Sequence, residues 1–382
     1  MKNLLLILSL TIGLPALTYA EDKHDHDHDH GSHAREGFYG HLHGTIFADT
    51  LTDVASDGKY SEMYSHSHLE MGYGLNDKIS INSNIKLEGS PDGEGHSHGS
   101  YLAPDGTDHG LSDHMLIFEE LTLNYNGDGF SGYVGKFNPV VGIDYHHFPG
   151  MYGYQVGEEY QIKEMLGYGV ILKQDFGNFG KHNLNISQFN ADNSGLSDSL
   201  LFQRTHRSSD DKALANTAEI SSYAISLGGS NFYSLNNFLI EGLSYRIGYA
   251  ELQQGPNQEA DNSQYSAAII HKHELSKDLS SKIIFERVQI DNKSGEAAHD
   301  RSHTTGGIGL YYNQWNFGTT YTYTDNDNDE EADENFNGNV FQASIGYDYG
   351  GGLGIDIGYK QRDIDDSKSE RIGVALKFEK EF

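Results

Sequence analysis

Histidine is the residue type in this chain whose number and spacing could do chemistry. The sequence has 21 His in 382 residues, and between residues 21 and 33 histidine alternates with aspartate in a tract without apolar side chains. Such a tract is predicted to be disordered. Imidazole is the commonest metal ligand, and alternating Asp and His offer many loosely organised ligands for zinc, nickel or copper. The tail therefore predicts capture of divalent metal, the alternative being incidental affinity, and its candidate ligands are His24, His26, His28, His30 and His33.

Four more histidines fall at period two in two segments that alternate apolar and polar residues, 38–48 and 63–73. If these segments pair as antiparallel strands around the polar loop between them, their inward residues form three pairs: His43 with His68, Thr45 with His66, and His41 with Glu70. Such neighbours lie ~5 Å apart, close enough for two imidazoles and a carboxylate to share an ion. An ordinary polar wall is the alternative, because a register error of one residue would turn the set outward. The predicted metal site comprises His41, His43, His66, His68 and Glu70.

A sheet of amphipathic strands has to position these residues, and its clearest strand is the last one, residues 370–382. The chain ends on an aromatic residue, and the apolar residues of this strand share one face: Ile372, Val374, Leu376, Phe378 and Phe382. In a soluble sheet such a strand would leave an exposed edge and an apolar tip. In a closed membrane barrel the apolar face meets lipid, and closure against the first strand removes the edge.

At this point the chain resembles the outer-membrane β-barrels of Gram-negative bacteria, whose closing strand ends in an aromatic residue. The resemblance implies an outer-membrane location, contact with outer-membrane lipid, and an assembly signal at Phe378 and Phe382 for the barrel assembly machinery. The N-terminus predicts the same export route, because residues 1–20 have the positive start, apolar stretch and small-residue exit of a secretory signal peptide. The predicted organisation is a signal peptide (1–20), a disordered His/Asp-rich periplasmic tail (21–36) and an outer-membrane β-barrel (37–382).

The alternation repeats along the chain and predicts an all-β fold, a transmembrane antiparallel β-barrel of about sixteen strands. An even strand number brings both termini to the periplasmic side. Short polar turns such as 75–78 and 126–129 then fall on that side, and long loops such as 138–163 fall outside. Aromatic residues flank the short turns, where an interfacial girdle belongs, and they are Tyr73, Tyr125, Phe130, Phe176, Phe179, Tyr312, Trp315, Tyr347 and Tyr349.

Composition limits the partners of this barrel. The net charge of -30 disfavours nucleic acid and anionic membrane surfaces and favours cations. The mean hydropathy of -0.59 and the abundance of Gly and Tyr suit strands that face water on one side and lipid on the other. The absence of Cys fits passage through an oxidising periplasm. No hydrolase motif or P-loop is present, so the chain is predicted not to be an enzyme and to require no cofactor.

The segment Gly135-Lys136-Phe137-Asn138-Pro139 resembles a pattern of porin-type proteins, in which a strand leads into the third outer loop. In trimeric porins that loop folds into the lumen and narrows the pore, so the resemblance implies a homotrimer whose constriction is formed by residues 138–163. Carboxylates in such a passage would concentrate cations and repel anions. The alternative is that they only bond the loop to the wall. The predicted constriction residues are Asp144, His146, His147, Glu158 and Glu159.

These observations predict an outer-membrane porin with a water-filled, cation-preferring channel for small hydrophilic solutes, linked to divalent metal (zinc) uptake. Histidines would then line the route from outside to periplasm, and protonation below about pH 6 should weaken metal binding because only neutral imidazole is a ligand. One alternative is a substrate-specific uptake barrel for a metal chelate, like the porin-like siderophore receptors. Another is a surface adhesin acting through the acidic segment 325–334.

Overall fold

The computed structural model describes residues 36–54, 61–89, 114–200, 213–232, 242–329, 335–364 and 367–382. The predicted signal peptide and nearly all of the predicted tail lie outside these residues. The tail histidines that lie outside them are His24, His26, His28, His30 and His33.

Sixteen strands form most of the described chain. Their bounds are β1 Gly37–Val54, β2 Ser61–Gly74, β3 Ile79–Gly89, β4 His114–Asn126, β5 Phe130–Phe137, β6 Met165–Asp175, β7 Lys181–Ala191, β8 Ser222–Ser230, β9 Leu243–Leu252, β10 Asn262–Ser276, β11 Leu279–Asp291, β12 His299–Tyr312, β13 Trp315–Asn328, β14 Phe336–Gly350, β15 Leu353–Ile364 and β16 Ser367–Glu381. A short helix, α1 Tyr154–Tyr160, lies between β5 and β6. Among the described residues, no helix has the length and apolar character needed to cross a bilayer.

Each strand pairs antiparallel with its neighbours in sequence, and β1 pairs with β16, so the sheet closes into a barrel. This confirms the predicted fold class and strand number. One end of the barrel carries short turns, among them 75–78, 127–129 and 313–314, and the first and last strands begin and end there. The longest connections, such as the one between β5 and β6, lie at the opposite end.

The barrel is apolar outside and polar inside. Exposed side chains on the outer face include Leu123, Val170, Ile247, Phe285 and Ile308. Buried residues on the inner face of the same strands or their neighbours include Asn124, Ser187, Ser266, Glu286 and Thr305. An apolar belt of this extent marks a surface that contacts lipid. The predicted girdle lies at the turn end, where Trp315 packs edge to face on Tyr347 with ring centroids 4.9 Å apart.

The seam where β1 pairs with β16 explains why the last strand carries aromatic residues. The backbone N–H of Phe382 donates to the carbonyl of Gly40 at 3.0 Å, and the N–H of Gly40 donates back at 2.9 Å. The ring of Phe378 lies over Gly44, its partner in register, and a Cβ on Gly44 would come within 2.1 Å of that ring. Gly40 and Gly44 therefore make room for the rings of Phe382 and Phe378 on the lipid face.

Several strands are longer at the loop end than the sequence predicts. Strand β1 continues to Val54, β12 begins at His299 and β13 runs to Asn328. The predicted acidic loop 325–334 therefore starts as part of a strand, and its residues 330–334 lie outside the described residues. The physical reason is that these extensions rise above the apolar belt. In β12 and β13 the extensions are polar on both faces, so no apolar alternation signals the strand there.

Candidate metal centre in the barrel lumen

Residues 138–164, here called the constriction loop after the predicted role of residues 138–163, leave the end of β5 and cross the lumen. At the departure point Gly135 has a φ of 136°, and a Cβ would lie 2.2 Å from the carbonyl oxygen of Leu121, so only glycine fits. The next residue, Lys136, is buried, and its Nζ contacts Glu164 at 2.9 Å and Asp192 at 3.1 Å. One buried cation therefore ties the start of the loop to its end.

Two buried carboxylates of the wall hold the loop across the lumen. Asp49 on β1 accepts a hydrogen bond from the hydroxyl of Tyr152 at 2.9 Å. Glu286 on β11 accepts one from the hydroxyl of Tyr160 at 2.6 Å and one from the backbone N–H of Ile143 at 3.0 Å. Strands β1 and β11 are far apart around the barrel, so the loop is fixed to separate parts of the wall.

The loop brings His146 against two inward histidines of β2. The Nε2 atoms of His66 and His68 are 3.1 Å apart, and the Nε2 atoms of His66 and His146 are 3.4 Å apart. The three ligand nitrogens all lie within 4.8 Å of one another. Tetrahedral zinc with its usual Zn–N bond length holds its ligands roughly 3.3 Å apart. This three-histidine cluster therefore has the spacing of a metal site.

The Nδ1 atoms of the three rings point to oxygen acceptors. Each ring has such a partner: Glu88 for His66 at 3.3 Å, Asn84 for His68 at 3.3 Å, and Asp144 for His146 at 2.8 Å. Because a carboxylate or amide oxygen only accepts, these contacts favour a proton on each Nδ1 and a lone pair on each Nε2. Proteins orient metal-binding histidines by this arrangement.

A second group of possible ligands, His66 with Glu88 and Glu158, overlaps the cluster. Its carboxylates already have counter-ions. The Nζ of Lys86 lies 2.8 Å from Glu88 and 2.6 Å from Glu158, and the Nζ of Lys163 lies 2.7 Å from Glu158. These ammonium groups supply the positive charge that a metal would bring, so the second group acts as an ion-paired anchor of the loop.

The other predicted constriction residues have separate environments in the lumen. Burial opposes ionisation of Glu158, but the nearby Lys163 ammonium holds the pKa of this carboxyl well below its usual range. Burial raises the pKa of Glu159. Nδ1 of His147 lies 3.4 Å from the Nζ of Lys282. Of the five predicted residues, His146 joins the three-histidine cluster and Asp144 supports it from behind.

The predicted register of the first two strands is confirmed in full, with three pairs: His43 with His68, Thr45 with His66, and His41 with Glu70. A cavity of about 570 Å³ lies beside the cluster, and His41, His43 and Glu70 line it. The cavity reaches the turn end of the barrel at Asn313 and Trp315. These predicted ligands are therefore neighbours of the close cluster and not members of it.

Sequence reasoning missed two glutamates behind the cluster. Glu88 faces His66 in the register of β2 and β3, and simple alternation along β3 could have found it. Glu119 falls at a register shift in β4, and its carboxylate lies 3.6 Å from the Nδ1 of His68. A bulge of this kind re-aims a side chain. Period-two counting could not have found this residue.

No protein-family model matches the chain, and no curated protein sequence matches it. Among the solved proteins that share its fold are three outer-membrane proteins. The outer-membrane channel DcaP of Acinetobacter baumannii has a TM-score of 0.53 and 12% identity over 90% of this chain and 96% of that chain. Pseudomonas aeruginosa OpdK with vanillate has 0.52 and 10% over 90% and 98%. The trimer form of Vibrio cholerae OmpT has 0.52 and 9% over 90% and 100%. These similarities confirm the porin-type barrel fold and, with the apolar exterior, support the predicted outer-membrane location.

Proposed function

We propose that this protein is an outer-membrane channel that admits small hydrophilic solutes, prefers cations, and carries divalent metal such as zinc as a substrate. The apolar belt, the polar lumen and the shared fold of outer-membrane channels support the channel. The observation that carries the metal preference is the three-histidine cluster on the constriction loop, beside a cavity that His41 and His43 line.

Orientation follows from general barrel architecture. Bacterial barrels turn their short connections to the periplasm, so the turn end and both termini of this chain are proposed to be periplasmic. The 570 Å³ cavity then opens toward the periplasm. The histidine tail would begin at the same mouth, where it could receive metal that leaves the lumen. The barrel assembly machinery is the proposed partner in folding.

The proposed metal preference rests on histidine, whereas the proposed preference for cations such as K⁺ rests on the net charge of -30. Glu158 is ion-paired with Lys86 and Lys163, so its charge is compensated locally. The imidazoles bind metal without net charge of their own, and three ligands that leave a coordination position open favour exchange over tight storage. No catalytic role is proposed. A homotrimer is proposed by analogy with the trimer form of OmpT.

Planar bilayers and cells test the proposal together. Stepwise conductance with a reversal potential near that of the cation in a KCl gradient is expected. Cells under zinc limitation should accumulate less zinc when His41, His43, His66 and His68 are all replaced by Asn, or when residues 21–33 are deleted. Normal ion flux with unchanged zinc uptake in both variants would refute the metal proposal. Uptake of zinc only as a chelate would favour the siderophore-receptor alternative.

A further inference from the structure

We propose that His66, His68 and His146 form a binding site for one transition-metal dication, for which Zn²⁺ is the reference ion, and that this ion joins the constriction loop to strand β2. The proposal deepens the proposed channel function, on which its role in transport rests, by naming the place where metal would be held. The geometry of the site stands independently of transport.

The Nε2 lone pairs of the three histidines converge, and this arrangement favours a bound cation. With the Nδ1 protons directed to Glu88, Asn84 and Asp144, the Nε2 atoms face one another at 3.1 and 3.4 Å. Lone pairs at that separation repel, and a metal ion between them turns the repulsion into coordination. Neutral imidazole nitrogen selects zinc, nickel and copper, whereas calcium and magnesium take oxygen ligands.

Some carboxylates around the site pair with Lys86, and others lie beside the proposed metal ion. Lys86 neutralises Glu88 and Glu158 on one side. Asp144 contacts the ring of His146 at 2.8 Å, and Glu119 lies 3.6 Å from the ring of His68, on the other side. These two anions stabilise the positive charge of a bound dication through the imidazoles that separate them from it.

Three protein ligands leave one position of a tetrahedral ion open. All three rings line the 570 Å³ cavity, so water or a ligand from the cavity can take the fourth position. His43 pairs with His68 in register, and cross-strand neighbours lie ~5 Å apart, so His43 is a further candidate ligand beside the cluster. An open site with a neighbouring ligand suits metal that is passed on.

Metal binding would also fix the loop. His66 and His68 belong to the wall, and His146 belongs to the constriction loop. A bound ion therefore adds a link between two elements that otherwise meet through hydrogen bonds and ion pairs. Zinc in the passage should obstruct the current of other cations while it is bound.

Cobalt and zinc are the probes for the full mature chain. Co²⁺ should give the strong visible absorption of a tetrahedral nitrogen site, and His146→Asn should remove most of that signal. In bilayers Zn²⁺ should reduce the potassium current reversibly, with recovery on adding a chelator. His146→Asn should raise the zinc concentration for half-block at least tenfold, and His68→Asn should do the same. Mg²⁺ at equal concentration should have no effect.

His271→Asn is the matched control, because His271 pairs with the exposed Ile283 on the outer face and stacks on His273. Its zinc block should equal that of the wild type. A heat-shifted gel band checks that each variant is folded. Equal zinc block in His146→Asn and wild type, or equal block by Mg²⁺ and Zn²⁺, would overturn the site. Tetrahedral cobalt that requires His146, in a barrel without conductance, would uphold the site and refute the channel.

Discussion

The acidic groups Glu88 and Glu158 beside the three-histidine cluster have ammonium groups as counter-ions, whereas the ligand nitrogens of the cluster face one another. Glu158 has two ammonium partners at 2.6 and 2.7 Å, whereas the Nε2 atoms of His66 and His68 face each other. A count of carboxylates in the constriction loop would therefore overstate its attraction for cations. A carboxylate that already has an ammonium counter-ion is less available to a metal ion, so each group has to be judged by its own partners.

Asp144→Asn tests the support of the cluster at the residue scale. The amide can still accept from the ring of His146, which now contacts Asp144 at 2.8 Å, but it lacks the negative charge that increases the basicity of the imidazole. Zinc affinity, measured by calorimetry or by half-block of the current, should fall about tenfold. Asp128→Asn, in an exposed turn, should bind zinc like the wild type. Unchanged affinity in Asp144→Asn would show that the carboxylate only shapes the loop.

Sequence reasoning succeeded at this scale where contacts follow from alternation. The pairing of His43 with His68 and of His41 with Glu70 follows from period two and the position of the loop between β1 and β2. The contact of His146 with His66 could not be predicted, because it joins residues 80 positions apart and no sequence periodicity describes the path of the loop that carries His146. Glu119 was hidden by the bulge in β4.

At the scale of elements, the constriction loop is held by buried polar groups on separate strands. Glu286 of β11 takes three donors, from Tyr160, Ile143 and Ser266. Burial raises the pKa of Tyr160 well above its ordinary value, so its hydroxyl stays protonated as a donor throughout the ordinary pH range. The position of the loop therefore depends on β11 as much as on its own sequence.

Glu286→Ala should release this side of the loop. Three buried donors lose their acceptor, and an unsatisfied buried group costs about 1–3 kcal/mol. The expected result is a folded barrel with a noisier and larger single-channel current, and faster protease cleavage within residues 138–164. Glu274→Ala, at an exposed position of β10, is the control. A current as quiet as that of the wild type would mean that Asp49 and the other anchors suffice.

Lys136→Met tests the departure point of the loop. Lys136 is fully buried between Glu164 and Asp192, and its replacement takes a buried cation away from two buried carboxylates. Breaking a buried ion pair from one side costs about 3–5 kcal/mol. The yield of heat-modifiable barrel should fall sharply, whereas Lys181→Met, at an exposed position, should fold normally. Normal folding of Lys136→Met would mean that the carboxylates protonate or reach water at little cost.

The number and positions of the strands were largely predictable, because one face of every strand meets lipid and the other meets water. Sixteen strands were expected and sixteen form the barrel. The prediction failed at the upper ends, as in β13, where Asp325, Asn326 and Asp327 continue the ladder to Asn328. Backbone pairing holds a strand beyond the membrane without any apolar residue. Hydropathy therefore locates the membrane crossing and not the end of the strand.

At the scale of the whole molecule, closure of the barrel brings the proposed metal ligands of β1 close to the turn end, where the described chain begins and ends. Strand β1 carries His41 and His43 on its inner face and pairs with β16 on one side and β2 on the other. The cavity beside the cluster reaches the turn end, where the described chain begins and ends. The seam between β1 and β16 is therefore also a wall of the proposed metal route. A disordered seam should disturb both the closure of the barrel and this route.

The contact between Gly44 of β1 and the ring of Phe378 of β16 can be tested by replacing each residue and then both. Gly44→Val would place a branched side chain where the ring of Phe378 now lies, since even a Cβ would come within 2.1 Å of that ring. Phe378→Ala would leave Gly44 uncovered and remove a cross-strand contact worth roughly 1 kcal/mol. Each single variant should lower the temperature at which the folded gel band converts to the unfolded one.

The double variant Gly44→Val with Phe378→Ala should recover part of the stability lost in Gly44→Val, because the new side chain fills the space that the ring leaves. Residues in contact show such non-additive effects, whereas distant residues do not. Gly44→Val combined with a change at the exposed Ile247, on β9 away from the seam, should be additive. Additive losses in the seam pair would mean that ring and glycine are independent. The terminal aromatics would then serve assembly alone and not the closed barrel.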